Sequence, residues 1–162
     1  MSLTPVIAWL AQTALRAQSA KARGTAGELL AVELFRHAGY ITGHSRHYKS
    51  GDAWVYDEIA NRKKRLEVKI SKVGVNGEYK FCLRKESGKG KTDYRKSDVL
   101  VLICLSKSGS FTVFVTNTVN VGDVWNIGLP GKLAGYAGKY AGWKSSSRKV
   151  KLPCDIVANS AR

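Results

Sequence analysis

The chain has 162 residues, of which 44% are hydrophobic, and this favours one globular domain with a substantial core over a disordered chain. Its 27 Lys and Arg residues against 12 Asp and Glu residues give a formal net charge of +15. A surface this positive favours a polyanionic partner, and nucleic acid is the first expectation because its phosphates attract cations. A basic protein without a specific partner is the alternative.

The cysteines exclude two classes of small protein. Cys82, Cys104 and Cys154 are odd in number and widely spaced, without a CxxC pair, which argues against both a disulfide scaffold and a zinc cluster. The sequence also shows neither a secretory signal pattern nor an apolar run of membrane-spanning length. We therefore expect an intracellular location, in the cytoplasm or the nucleoid.

The first elements along the chain are two helices. Residues 4–23 predict an N-terminal helix that Thr4 caps and in which Pro5 occupies the first turn. A second helix is predicted over about 25–39 and ends at a glycine. The segment that follows, YITGHSRHYKSGD, is basic and interrupted by glycine, which predicts a loop or a short strand.

The pattern then changes to strands. Five runs separated by Gly-rich or polar breaks predict them: AWVYDEI, RLEVKIS, EYKFCLR, DVLVLICL and SFTVFVT. The run VLVLICL is apolar at both parities, which predicts a central strand covered on both faces. The expected fold class is α+β or α/β, with a mixed sheet of about five strands flanked by helices. One domain spans 1–162, and a basic, aromatic segment occupies 117–162.

The first two strands carry the candidate chemistry. Pairing them across a three-residue turn at 61–63 predicts that Asp57 stands opposite Glu67, with Lys69 on the same face. Two carboxylates placed in this way destabilise a hairpin unless a cation lies between them, and hard oxygen ligands favour Mg²⁺, with Mn²⁺ as a substitute. A lysine beside the metal can orient or deprotonate water and offset charge on a phosphate. Phosphodiester hydrolysis is therefore one interpretation, and an ordinary solvated face is the other.

Asp57 followed by Glu67-Val68-Lys69 resembles the PD-(D/E)XK nuclease superfamily, whose motif places an acid on one strand of a hairpin and (D/E)xK on the next. Tyr56 replaces the proline that often precedes the first acid. The resemblance covers about 25–116 and implies a restriction-endonuclease-like core. It also implies that Asp57, Glu67 and the Val68 carbonyl bind the metal, and that Lys69 is catalytic.

Three further residues or groups are candidates. Glu28 matches an acid that the superfamily often supplies from the preceding helix, although a favourable position in the first helical turn would also explain it. Asp52 is the alternative first acid if the turn is longer than predicted. The histidines in GHSRHYKSG lack a third ligand, so a DNA-contacting loop is favoured over a metal site, and assistance to a water molecule is the minor alternative.

Three basic segments are predicted to contact DNA, unless they are merely solvated. The first segment follows the second helix, the second is RKESGKGKTDYRK, and the third lies in the C-terminal segment. In the last of these, Leu133, Tyr136 and Tyr140 also have helical spacing, which leaves a short helix with an aromatic core stripe as an equal interpretation. The predicted DNA-binding residues are Arg46, Lys49, Lys85, Lys89, Lys91, Arg95, Lys139, Lys144 and Arg148.

The sequence thus predicts a Mg²⁺-dependent DNA endonuclease, a site-specific duplex cutter of homing or restriction type. A junction-resolving endonuclease that acts on branched DNA is the alternative within the same class. Cutting both strands of a duplex needs two active sites, so a homodimer or a higher homo-oligomer is expected. A non-catalytic nucleic-acid-binding module and a structural RNA-binding protein are the alternatives from other classes.

Overall fold

The computed structural model describes residues 4–44, 53–87 and 90–154. Two helices open the chain: α1 spans Pro5–Arg16 and α2 spans Ala20–His37. The Thr4 side chain accepts a hydrogen bond from the Ile7 N–H, which confirms the predicted cap and the first-turn proline.

The predicted boundary between the helices, near Gly24, is wrong. The break lies instead at residues 17–19, where the extended Ser19 accepts a hydrogen bond from the Ala22 N–H at 3.1 Å. Gly24 lies inside α2, where one glycine costs only about 1 kcal/mol relative to alanine. A good serine cap therefore determined the helix start more strongly than the glycine could determine a helix end.

Within the described ranges, ten strands follow the helices. Their bounds are β1 (Thr42–His44), β2 (Ala53–Asp57), β3 (Arg62–Lys72), β4 (Glu78–Cys82), β5 (Arg84–Ser87), β6 (Gly90–Asp93), β7 (Val99–Leu105), β8 (Phe111–Asn117), β9 (Asn126–Pro130) and β10 (Lys144–Ser145). The basic segment RKESGKGKTDYRK, in which no strand was predicted, supplies β5 and β6, which pair with each other.

The strands form one large sheet and two ribbons. The six-stranded sheet has the order β1-β2-β3-β7-β8-β10, in which β3 and β7 are parallel and the other neighbours are antiparallel. The ribbons are β4–β9 and β5–β6. The expected class, a mixed sheet flanked by helices, is confirmed, with six strands in the sheet.

Each face of the sheet carries its own core. On one face α1 and α2 pack on inward residues of β3 and β7 such as Leu66, Val68 and Val101. On the other face, the β4–β9 ribbon packs on Leu100 and Leu102. We call these the helix face and the ribbon face. All seven residues of β7 are buried, which confirms the central strand predicted from VLVLICL.

The C-terminal segment completes the ribbon face. Leu133 is buried there, and Tyr136, Tyr140 and Trp143 pack against the same core. Within the described part of this segment, residues 117–154, the chain forms short strands, turns and 3-10 turns but no α-helix. The aromatic stripe therefore does pack on the core, but the predicted helical form is wrong. Over the described ranges, none of the helices is long and apolar enough to cross a membrane.

Candidate active site

The pairing of β2 with β3 determines which acids can act together. Ala53 pairs with Leu66 and Asp57 pairs with Arg62, so the connecting turn is residues 58–61. The predicted three-residue turn at 61–63 is therefore wrong. The observed register differs from the predicted one by five positions. An odd shift moves every side chain of a strand to the other face, and Asp57 accordingly lies on the helix face, away from Glu67.

Turn chemistry explains the observed register. Asn61 adopts a left-handed backbone with φ of 54°, a conformation that asparagine tolerates better than most residues. The Asp57 Oδ1 atom accepts hydrogen bonds from the Ile59 and Ala60 N–H groups, each at 3.0 Å. Residues 57–61, DEIAN, thus form the β2–β3 turn instead of extending β2.

Asp57 also forms a buried ion pair. The Lys64 Nζ atom lies 2.7 Å from the Asp57 Oδ2 atom, and Lys64 is only 1% exposed. The hydrogen bond from Lys64 lowers the pKa of Asp57 below its ordinary value, and the backbone hydrogen bonds from Ala60 and Ile59 act in the same direction against the effect of burial. Both carboxylate oxygens therefore have strong partners within the protein. The structure does not bring Asp57 together with Glu67 and Lys69.

Glu67 and Lys69 do come together, on the ribbon face. The Lys69 Nζ atom lies 2.9 Å from the Glu67 Oε1 atom, and the two side chains are 27% and 12% exposed respectively. Their Cα partners on the parallel strand β7 are Leu102 and Leu100, both buried. The pair therefore lies in an apolar setting that strengthens its electrostatics, yet solvent and a ligand can still reach it. The side chain of Val68 between them packs in the helix-face core.

Glu28 has a partner that the sequence did not indicate. Its Oε2 atom lies 2.6 Å from the Nε2 atom of His44 on β1. Because α2 begins at Ala20, Glu28 lies beyond the first turn, and the helix-dipole explanation for it is wrong. His44 is the Cα partner of Ala53, which in turn pairs with Leu66, the neighbour of Glu67 in the chain.

The donor set limits how a metal ion can be held. Over the ranges that the structure describes, no group of three or more His, Cys, Asp or Glu side chains comes together. Mg²⁺ nevertheless commonly binds through one or two carboxylates, with water and phosphate completing its shell. The hard carboxylate oxygens of Glu67 fit such a site. Asp52, the alternative first acid, lies outside the described residues.

A solved structure has this fold. It is that of a bacterial homing endonuclease, I-Ssp6803I. The TM-score is 0.61 at 15% sequence identity, and the match covers 78% of this chain and 88% of that chain. No protein-family model and no curated protein matches the sequence. At this identity the likeness to I-Ssp6803I is one of fold, and it extends over more of the chain than the predicted core at about 25–116.

The likeness to I-Ssp6803I assigns no role to single residues, so the structure alone places the predicted DNA-binding residues. Arg46, Lys49 and Lys89 lie outside the described residues. Lys85 and Lys91 lie on the ribbon formed by β5 and β6, and Arg95 lies in the 3-10 turn that follows β6.

The predicted DNA-binding residues of the C-terminal segment differ among themselves. Lys139 and Arg148 are exposed, with the Lys139 ammonium 5.5 Å from the ring centre of Tyr140. The Lys144 Nζ atom instead donates a hydrogen bond to the Leu133 carbonyl at 2.9 Å. Lys144 therefore helps to fold this segment against the ribbon face.

Proposed function

We propose that this protein is a Mg²⁺-dependent endonuclease that cuts duplex DNA at a specific site. The observation that carries the proposal is the partly exposed Glu67–Lys69 pair at 2.9 Å on β3. It occurs in a chain of net charge +15 whose fold is similar to that of a homing endonuclease. A basic surface supplies affinity for the phosphates, and the pair supplies the chemistry of hydrolysis.

Each member of the pair has a distinct role in this proposal. The Glu67 carboxylate would hold the metal, together with the Val68 carbonyl that the resemblance to the PD-(D/E)XK superfamily implies. When bound, Mg²⁺ supplies a Lewis acid next to the scissile phosphate, for which Mn²⁺ can substitute. The Lys69 ammonium donates a hydrogen bond to the attacking water and offsets the negative charge that develops on the phosphate oxygens. Its present partner, Glu67, directs the Lys69 ammonium toward the site.

We assign the first acid of the motif to Asp52 rather than to Asp57. Asp57 is held by Lys64 on the helix face, and its two oxygens are already engaged. Asp52 is the residue that precedes Ala53 in the chain, and Ala53 pairs with Leu66, which precedes Glu67. The expected result is that Asp52→Asn abolishes cleavage, whereas Asp57→Asn leaves it intact in the folded fraction.

Duplex DNA is the proposed substrate, and a homodimer the proposed assembly, because one active site cuts one strand. The fold likeness to a homing endonuclease favours a site-specific cutter over a junction-resolving enzyme. A four-way junction that is cut in preference to linear and supercoiled duplex would reverse this choice of substrate.

The deciding experiment is a cleavage assay on a supercoiled plasmid library with random inserts and on a synthetic four-way junction. Each substrate is incubated with Mg²⁺, Mn²⁺ or EDTA. Wild type is compared with Glu67→Gln and with Glu58→Gln, a matched change at an exposed acid in the β2–β3 turn. We expect metal-dependent cutting by wild type and Glu58→Gln, and a loss of about 10²- to 10³-fold in Glu67→Gln.

Two results would contradict the proposal. Glu67→Gln that cuts as fast as wild type would remove Glu67 from the active site. Wild type that binds both DNA substrates but cuts neither with any metal would favour a non-catalytic binding module.

A further inference from the structure

One face of β3 carries more than the proposed catalytic pair. Alternate residues of a strand share a face, so Lys63 and Arg65 lie on the same side as Glu67 and Lys69. Lys63 and Arg65 are exposed, whereas Glu67 and Lys69 are only partly exposed. The strand therefore presents a row of charged side chains that begins beside the β2–β3 turn and leads to the catalytic pair.

An aromatic ring supports the first cation of this row. Trp54 on β2 is the Cα partner of Arg65, and it is also the partner of Gly43 on β1. The Trp54 ring lies so close to Gly43 that a Cβ atom there would be 2.6 Å from the ring. The Lys63 ammonium in turn lies 4.0 Å from the centre of the Trp54 ring. The ring is thus packed on the β1 backbone, and it restricts the positions of the Lys63 side chain by a cation–π contact.

The nearby carboxylates neutralise other cations. Asp98 pairs with the Arg62 guanidinium at 3.2 Å and accepts the Arg65 backbone N–H at 2.8 Å. Asp57 pairs with Lys64, and Glu67 pairs with Lys69. Among the residues that the structure describes, neither Lys63 nor Arg65 forms an ion pair with a carboxylate, and both are exposed, so their positive charge faces solvent.

From this arrangement we infer that Lys63 and Arg65 bind the phosphate backbone of DNA and guide one strand to the catalytic pair, with Trp54 holding Lys63 in place. The inference rests on the proposed function. Lys63 and Glu67 are four residues apart, about 13 Å along a strand. One DNA strand carries a phosphate every 3.4 Å of helix axis, so the Lys63 contact falls about four nucleotides, and the Arg65 contact about two, from the scissile bond. Phosphate contacts of this kind position the duplex without reading its sequence.

The test measures how DNA binding depends on salt, in the Glu67→Gln background so that cleavage does not interfere. The probe is a short duplex of random sequence, because phosphate contacts are independent of sequence. Lys63→Gln and Arg65→Gln are each expected to lower the slope of log Kd against log salt by about 1, and together by about 2. The matched control is Lys107→Gln, at an exposed lysine just after the C-terminal end of β7. It is expected to leave the slope unchanged.

The slope separates DNA contact from a structural role. Loss of the Lys63–Trp54 contact can lower thermal stability, but stability alone does not change the number of counterions released on binding. Slopes that stay at the wild-type value in both single variants, or that fall equally in Lys107→Gln, would overturn the inference. If the slopes are unchanged but wild type cuts plasmid in a metal-dependent way, the proposed function stands and only this inference fails. If wild type neither binds nor cuts DNA, both fail.

Discussion

Two ion pairs that each contain a lysine of β3 differ in what surrounds them. β3 sends Lys64 to the helix face and Lys69 to the ribbon face, and each ammonium lies within 3 Å of a carboxylate, at 2.7 Å and 2.9 Å. The Lys64 side chain is 1% exposed, against 27% for Lys69. The carboxylates hardly differ, since the Asp57 and Glu67 side chains are 11% and 12% exposed. The difference therefore lies in the lysines: Lys64 is buried, whereas a substrate can reach Lys69.

The difference shows that charge and distance alone do not identify an active site. The Asp57 carboxylate has a structural role. One of its oxygens accepts the hydrogen bonds that organise the β2–β3 turn, and the other pairs with Lys64. The Glu67–Lys69 pair ties two residues of a single strand together, so the fold depends on it less. Strand parity, which selects the face, therefore separates the structural pair from the proposed functional one.

Exchanging the lysines of the two pairs for methionine should give opposite phenotypes. Lys69→Met removes a cation from the proposed site, and we expect cleavage to fall by about 10²- to 10⁴-fold. The free energy of unfolding should change by less than about 1 kcal/mol, because the pair is partly exposed. Lys64→Met should instead lower the free energy of unfolding by about 3–5 kcal/mol, because it leaves a buried carboxylate without its partner.

Urea unfolding and plasmid cleavage on the same preparations measure both phenotypes. Cleavage by Lys64→Met, corrected for its folded fraction, should stay within about twofold of wild type because the site is on the other face. A Lys64→Met protein that is stable but inactive would contradict the structural role of this pair, since Lys64 would then act in catalysis rather than in folding.

The buried pair should also give the protein a distinctive sensitivity to acid. The pKa of Asp57 in the folded protein lies below its ordinary value of 3.8, so the charged pair stabilises the fold at a pH above that value. This contribution is lost as the pH falls through the folded pKa. Asp57→Asn should therefore be less stable than wild type at about pH 7, and the gap should narrow at about pH 3.

Urea unfolding of both proteins across that pH range tests the assignment, and Glu58→Gln controls for the loss of an exposed acid in the same turn. A stability gap that is the same at both pH values would mean that the Asp57 side chain acts through its turn hydrogen bonds and not through its charge.

Most of the fold was predictable because long hydrophobic patterns dominate it. The helix-cap residue Thr4, the apolar run of β7 and the five main strands each have a strong local signal. The hairpin register was not predictable in this way, because AWVYDEI and RLEVKIS pair plausibly in more than one alignment. The side-chain hydrogen bonds of Asp57 and the left-handed Asn61 decided between them.

The candidate site was predictable only within one strand. Glu67 and Lys69 are two apart, so any strand at this position places them on one face whatever its partner. The position of Asp57 depended on the register, and the Glu28–His44 contact depended on how α2 packs over β1. Although α2 and β1 are consecutive in the chain, a contact set by how one element packs on another has no local signal, and His44 was therefore missed as a partner.

The smallest expected effect concerns this Glu28–His44 pair, which belongs to neither of the two ion pairs of β3. We propose that it positions the end of β1 next to β2, because His44 pairs with Ala53. Glu28→Gln should lower cleavage by only about tenfold, as expected for a group that orients others, while Glu33→Gln on the same helix should have no effect. His44→Gln should reproduce the Glu28→Gln result, and the double variant should be no worse than either one, because both changes break one contact. Single-turnover cleavage rates measure the effect, and additive losses in the double variant would show that the two residues act separately.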